Sequence, residues 1–179
     1  MQHAAWQAEI LQELSTLSEE GRQAAEWLRA GKTQIGFARA GRSVAAFWTP
    51  LRNIRLNSRL YSRSSTHGDA YLLSILIHEA VHLRQGLIGA LSIRGELEAW
   101  GLQFQVLRRL GKYRRHPALD ELMETPLGWD RAALSHARKL MRQYAGRGYR
   151  ADLLPLYPVG WELWYWIGRL LRSPLRTGE

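Results

Sequence analysis

The segment LLSILIHEAVHLRQG, residues 72 to 86, restricts this chain more than any other. Apolar residues run almost unbroken from 70 to 83, and the polar exceptions include His78, Glu79 and His82. The run is too short, and too polar at its centre, to span a bilayer. It therefore predicts a helix buried within a folded domain, with Asp69 as its N-cap and Gly86 as the residue that stops it. Two imidazoles and a carboxylate in such a setting are either a satisfied polar spot in the core or a metal site with its own base.

Spacing favours the second reading. Residues four apart lie one turn apart on the same helix face, so His78 and His82 can offer two imidazoles to one cation. Glu79, beside the first ligand, projects toward the open side of the metal. This is the H-E-x-x-H arrangement, in which two histidines bind zinc and the glutamate is the general base. With six histidines and twelve glutamates in the chain, chance would produce it only ~0.01 times. Metal ligation is therefore the stronger expectation.

A catalytic zinc site takes three protein ligands and leaves one position open. The chain has no cysteine, so the third ligand must be a histidine or a carboxylate. A metzincin would place a glycine three residues after His82 and a histidine six after it. Gln85 and Ile88 stand there, and His116 and His136 are distant and unframed. The next segment, SIRGELEAW from 92 to 100, supplies Glu96 and Glu98 in the first turns of a second helix. Residues two apart do not share a helix face, so only one of them is expected to reach the metal.

These two segments together resemble the gluzincin-type zinc metallopeptidases, in which H-E-x-x-H is followed by a glutamate ligand on a second helix. Ser92 through Trp100 is similar to the Ser-x-x-x-Glu-x-Glu-Ala-Asp pattern of M48-type peptidases. It is similar also to the Glu-x-Glu-Ala-Asn pattern of phage-immunity metalloproteases that cleave repressors. In both patterns the first glutamate is the ligand, which carries over to Glu96. The resemblance spans roughly residues 69 to 105. It implies a zincin-like fold, a zinc ion on His78, His82 and Glu96, Glu79 as the catalytic base, and a protein or peptide substrate. Trp100 departs from both patterns, which have an Asp or Asn there to orient a ligating histidine. Glu98, a backbone carbonyl or a distant acid would have to replace it. The donor that stabilises the oxyanion is not selected by spacing; Tyr113, His116, Tyr149 and Tyr157 are all available.

Elsewhere the patterning predicts one helix from 4 to about 30, closed by Gly31. TQIGFA and SVAAFW read as a hairpin around a glycine-containing turn, broken by Pro50, and NIRLNSRLY as a third, half-exposed strand. A helix should run from about 93 to 110 after Ser92. Two more should start at Pro117 and Asp130, the latter ending at Gly146, with an amphipathic one after Pro158. No repeat or low-complexity linker divides the chain. The expectation is a single α+β domain over 1–179, mostly helical, with a small N-terminal sheet beside the active-site helix.

A hydrophobic content of 46% against 23% charged residues excludes a disordered chain. The start, MQHAAWQAEILQELSTLSEE, lacks the basic and apolar regions of a secretory signal, so a cytoplasmic protein is expected. The net charge of +9 is almost all arginine, with lysine only at 32, 112 and 139. It makes a nucleic-acid partner possible, but no basic run is dense enough to indicate one. The rival to an enzyme is thus a basic helical module that binds nucleic acid or protein around a structural or vestigial metal. The basic GKYRRH at 111 to 116 reads as a complement to a helix C-terminus. In WELWYWIGRLL the aromatics surround more than one helical face, which suggests a core-packing helix; a cleft wall or dimer face is the alternative.

Overall fold

The structure, a computed structural model, describes residues 2–41, 44–146, 149 and 151–172. Its elements are α1 (Gln2–Leu17), α2 (Glu19–Ala30), β1 (Ile35–Ala38), β2 (Ala46–Trp48), β3 (Ile54–Asn57), α3 (Ala70–Ala90), α4 (Ile93–Arg109), α5 (Pro117–Glu124), α6 (Arg131–Ala145) and α7 (Val159–Arg172). The architecture is α+β, mostly helical with one small three-stranded sheet.

The expected first helix is two. Ser18 is fully extended, at φ −166° and ψ 173°, and its side chain accepts from the Gly21 N–H. Glu19 and Glu20 then open α2 where acids suit the helix dipole. Gly21 lets α2 fold back on α1, because a Cβ there would stand 2.3 Å from the Leu14 carbonyl oxygen.

The sheet also differs from expectation. Its order is β1-β3-β2, with β1 parallel and β2 antiparallel to β3, so β1 and β2 do not form a hairpin. The cause is the fully buried Asn57. Its amide donates to the carbonyls of Gly41 and Val44, and its oxygen accepts from Ala40. This clamp draws the β1–β2 connection across the end of β3 and sets the two strands on opposite sides of it. Arg42, in the expected turn, and Ser43, at the start of the expected second strand, lie outside the described residues. The true hairpin is β2–β3, turning through Thr49 to Asn53 with Pro50 inside the turn. β3 is therefore central, with Ile54 and Leu56 fully buried, rather than half-exposed.

The remaining helices begin as expected: Asp69 caps α3, Ser92 caps α4 and Asp130 caps α6. Gly86 interrupts α3 at φ 71° and ψ 172°, a conformation open mainly to glycine, and one further helical turn follows. Two apolar clusters result. One joins α1, α2, the sheet and α3 through Ile10, Leu28, Ile54 and Leu76. The other joins α4, α5 and α6 through Trp100, Leu107, Leu119 and Leu134. The polar triplet of α3 sits at the seam between them.

Candidate metal centre and cleft

Every residue of α3 from Leu72 to Leu83 is buried, so its polar groups must find partners inside the protein. His78 and His82 bring their Nε2 atoms to 2.9 Å, with the rings at 82° to each other. Glu96, in the first turn of α4, places Oε1 3.5 Å from His82 Nε2 and Oε2 3.7 Å from His78 Nε2. Ligand atoms of all three lie within 4.8 Å of one another. A tetrahedral ion with bonds of 2.0–2.1 Å spaces its ligands about 3.3 Å apart, and the observed separations bracket that value. Two imidazole nitrogens facing each other beside a carboxylate are stable only with a proton or a cation among them. The group can hold a metal ion.

Gly95 is what lets Glu96 reach this place. A Cβ at Gly95 would meet the Gly89 carbonyl oxygen at 2.3 Å and Gln85 Oε1 at 3.0 Å. Ser92 fixes the entry to α4 by accepting from Gly95 N–H and donating to the Gly89 carbonyl.

Glu98 does not join the cluster. It takes a hydrogen bond from Arg84 at 2.6 Å and one from Gln85 at 3.0 Å. Gln85 is the residue that sequence reasoning missed: its Oε1 lies 3.2 Å from His82 Nδ1, while its amide donates to Gly95 O and Glu98. With its amide nitrogen committed as a donor, Gln85 can only accept from His82, which fixes the proton on Nδ1 and turns Nε2 inward. Gln103 favours the charged form of His78, while His78 Nδ1 has no hydrogen-bond partner among the described residues.

Trp100, the departure from the resembled patterns, acts on the carboxylate instead of a histidine. Its indole N–H donates to the Tyr149 hydroxyl at 2.9 Å, and that hydroxyl donates to Glu96 Oε2. Of the four oxyanion candidates only Tyr149 enters the cleft. Tyr113 donates to Asp120, Tyr157 donates to the Trp129 carbonyl, and His116 packs against Tyr144.

The charges follow from burial and neighbours. Burial opposes charge on His82, but the hydrogen bond and charge of Glu96, then the charge of Glu79, outweigh it and raise its pKa to about 9. Burial and the facing His82 push His78 down to about 3. Burial would raise Glu96, yet the two histidines and Tyr149 hold it below its ordinary value. Glu79 is pushed up to about 7, mainly by burial. Its Oε2 has no hydrogen-bond partner among the described residues, although the backbone N–H of Trp48 favours its charged form.

Glu79 and His78 border an open cleft of about 340 Å³. β2 forms one wall. Ala45 accepts from Asn57 and Thr49 donates to Asn53, so by antiparallel alternation Ala46 and Trp48 turn their backbone groups away from β3, toward the cleft side. Neither edge expected from QIGFA or NIRLN borders the site; the β2 edge does. The cleft continues past Tyr71, Phe104 and Tyr144 into a second cavity lined by Lys112 and Arg114 at the N-terminus of α3.

Compared with known protein families, curated proteins and solved structures, the chain matches none.

Proposed function

We propose that this protein is a zinc-dependent metallopeptidase of gluzincin type, with His78, His82 and Glu96 as ligands and Glu79 as the general base. One observation carries the reading: Glu79, whose buried Oε2 has no hydrogen-bond partner among the described residues, borders an open cleft immediately beside a three-ligand cluster. A structural metal is enclosed by four protein ligands and has no use for a free carboxylate beside it. When bound, the metal supplies Lewis acidity, bringing a water toward a pKa of about 7 and polarising a carbonyl.

The chain's own groups do the rest. Glu79, with a pKa near neutrality, is suited to take a proton from water at Oε2 and deliver it to the leaving amine nitrogen. Gln85 keeps His82 Nε2 directed inward. Tyr149, with its pKa raised well above the ordinary value by burial and by Glu96, stays a neutral donor beside the cleft. The free backbone groups of Ala46 offer an extended peptide a strand to pair with.

The test compares wild type with Glu79→Gln. Metal analysis of the purified protein should give about one zinc per chain in both. Labelling of new N-termini in a digested proteome should find cleavage with wild type alone. Zinc in both proteins with no new termini from wild type would leave the binding module as the better reading. Iron in place of zinc would argue for a different reaction class.

A further inference from the structure

Backbone N–H groups, not the basic side chains of 111–116, take up the last carbonyls of α4. Gly111, at φ 66°, turns the chain so that Lys112 and Tyr113 both donate to the Leu107 carbonyl. Leu110 and Gly111 donate to Val106 and Arg108. Tyr113 is then pinned toward α5: its hydroxyl donates to Asp120 at 2.9 Å, and its ring lies under Arg108 at 4.5 Å. Its neighbours Lys112 and Arg114 line instead the cavity of about 520 Å³ at the start of α3.

Neither cation is neutralised there. Among the described residues no ion pair or side-chain hydrogen bond engages Lys112 or Arg114. Asp120, the acid closest along the chain, is taken by Arg108 and Tyr113. Asp69 also lines the cavity, but its Oδ1 accepts from the N–H groups of Tyr71 and Leu72. Its charge thereby offsets the positive end of α3. The two side-chain cations are left over.

This cavity opens into the cleft beside Glu79. Tyr71, Phe104 and Tyr144 line both spaces. Arg114 stands near enough to Tyr144 for its charge to act on that hydroxyl. Burial, together with Tyr71, raises Tyr144 far above the ordinary tyrosine range, so it remains a neutral donor. Along α3, Tyr71 and Glu79 are eight residues apart, about 12 Å at the helical rise. An extended peptide covers that span in about three or four residues.

Resting on the metallopeptidase reading, we propose that this cavity is the specificity pocket of the cleft. It receives the carboxylate of an Asp or Glu side chain roughly three or four residues from the bond that is cut. Lys112 and Arg114 are the residues that determine the preference, as charge-assisted donors to that carboxylate. A peptide is favoured over nucleic acid on two grounds. The cleft offers a strand edge for main-chain pairing, and two cations are few for a groove that tracks a phosphate backbone.

The test selects displayed random peptides, fused so that no C-terminus is free, on Glu79→Gln protein, which should bind without cutting. The selected sequences should carry Asp or Glu enriched at one position. Replacing that acid by Asn or Gln in a selected peptide should weaken binding about fivefold to tenfold by fluorescence anisotropy, and less at high salt. Lys112→Gln with Arg114→Gln should abolish the difference. Arg29→Gln with Arg59→Gln removes the same charge outside the cleft and should keep it, which separates the pocket from the overall charge of +9. Thermal midpoints should match, because all four side chains are exposed. Cut sites of the wild type, found by labelling new N-termini, should show the same acid at a fixed offset. Selection without acidic enrichment, or a preference that survives at 112 and 114 or is lost equally in the control, would overturn the proposal. So would tighter binding of a single-stranded oligonucleotide than of any selected peptide. Acidic selection with no cleavage by wild type would keep the pocket and remove the peptidase. Cleavage with no acidic preference would do the reverse.

Discussion

The Tyr149 hydroxyl donates to Glu96 across a sequence separation of 53 residues, and it is itself held by the Trp100 indole N–H. The cluster carboxylate is thereby oriented by two aromatic residues, Trp100 one turn further along the same helix and Tyr149 from a distant part of the chain. Removing the hydroxyl in Tyr149→Phe should weaken zinc affinity by about tenfold to a hundredfold, the usual cost of losing an outer hydrogen bond to a ligand. Trp100→Phe keeps most of the ring packing and removes one donor, so it should weaken affinity less. Competition with a chromogenic chelator measures both. Equal affinity in all three proteins would show that Glu96 needs no orientation.

Glu96 and Glu98 are to be separated by metal content. Glu96→Ala removes a cluster member and should lose zinc after dialysis, as should His78→Ala. Glu98→Ala leaves the cluster intact and frees Gln85 and Arg84, so zinc should be retained with about tenfold weaker binding. Retention in Glu96→Ala with loss in Glu98→Ala would reverse the assignment.

Helix starts and the His78–His82 pair are legible in the sequence because both are local. An N-cap, an i,i+4 pair and a stop glycine are decided within a turn or two, so Asp69, Ser92, Asp130, His78 and His82 stand where their spacing put them. Glu96 over Glu98 came only through the resemblance; the contact that separates them, Gln85 with Glu98, joins residues on two helices. What was not legible depends on distant partners. The strand order hinges on Asn57, a polar residue that reads as part of a half-exposed strand. The break at Ser18 was visible in Ser-Glu-Glu-Gly but was overridden by apolar periodicity on both sides. WELWYWIGRLL reads as a core-packing helix, yet Trp161, Leu163 and Trp164 are exposed; α7 is held instead through Trp129 and Arg131, which hydrophobic patterning does not see.

Gly95 links the fold to the site through space alone. Gly95→Ala would push a methyl into the Gly89 carbonyl and toward Gln85 Oε1. Overpacking of this kind costs about 1–3 kcal/mol, and the strain falls on the residue that orients His82. Thermal unfolding should show the lost stability, and zinc affinity should fall with it. Gly101→Ala, where no atom beyond its own stretch of helix lies within 4 Å of the added Cβ, is the control: zinc affinity should be unchanged and stability should rise by up to about 1 kcal/mol, the gain of Ala over Gly inside a helix.

Zinc uptake should expel protons, in a number set by the charges already in the site. At pH 7 the metal-free chain holds His82 protonated, because Glu96 raises it to about 9 against the effect of burial. Glu96 is already ionised, and His78 is neutral. Binding must therefore release about one proton from His82, plus the fraction still on Glu79. The folded value of His82 lies above its ordinary 6.5. Its stabilisation of the metal-free fold is thus full below about 6.5 and is lost as pH rises through about 9. Metal affinity runs the other way and grows as pH climbs toward 9, because the competing proton leaves. Calorimetric titration in two buffers of different ionisation enthalpy counts the protons. A count near zero at pH 7 would mean that His82 is neutral before the metal arrives. In Glu96→Gln the His82 ring should titrate well below 9 by NMR, since burial is then opposed by Glu79 and Gln85 without the larger effect of Glu96.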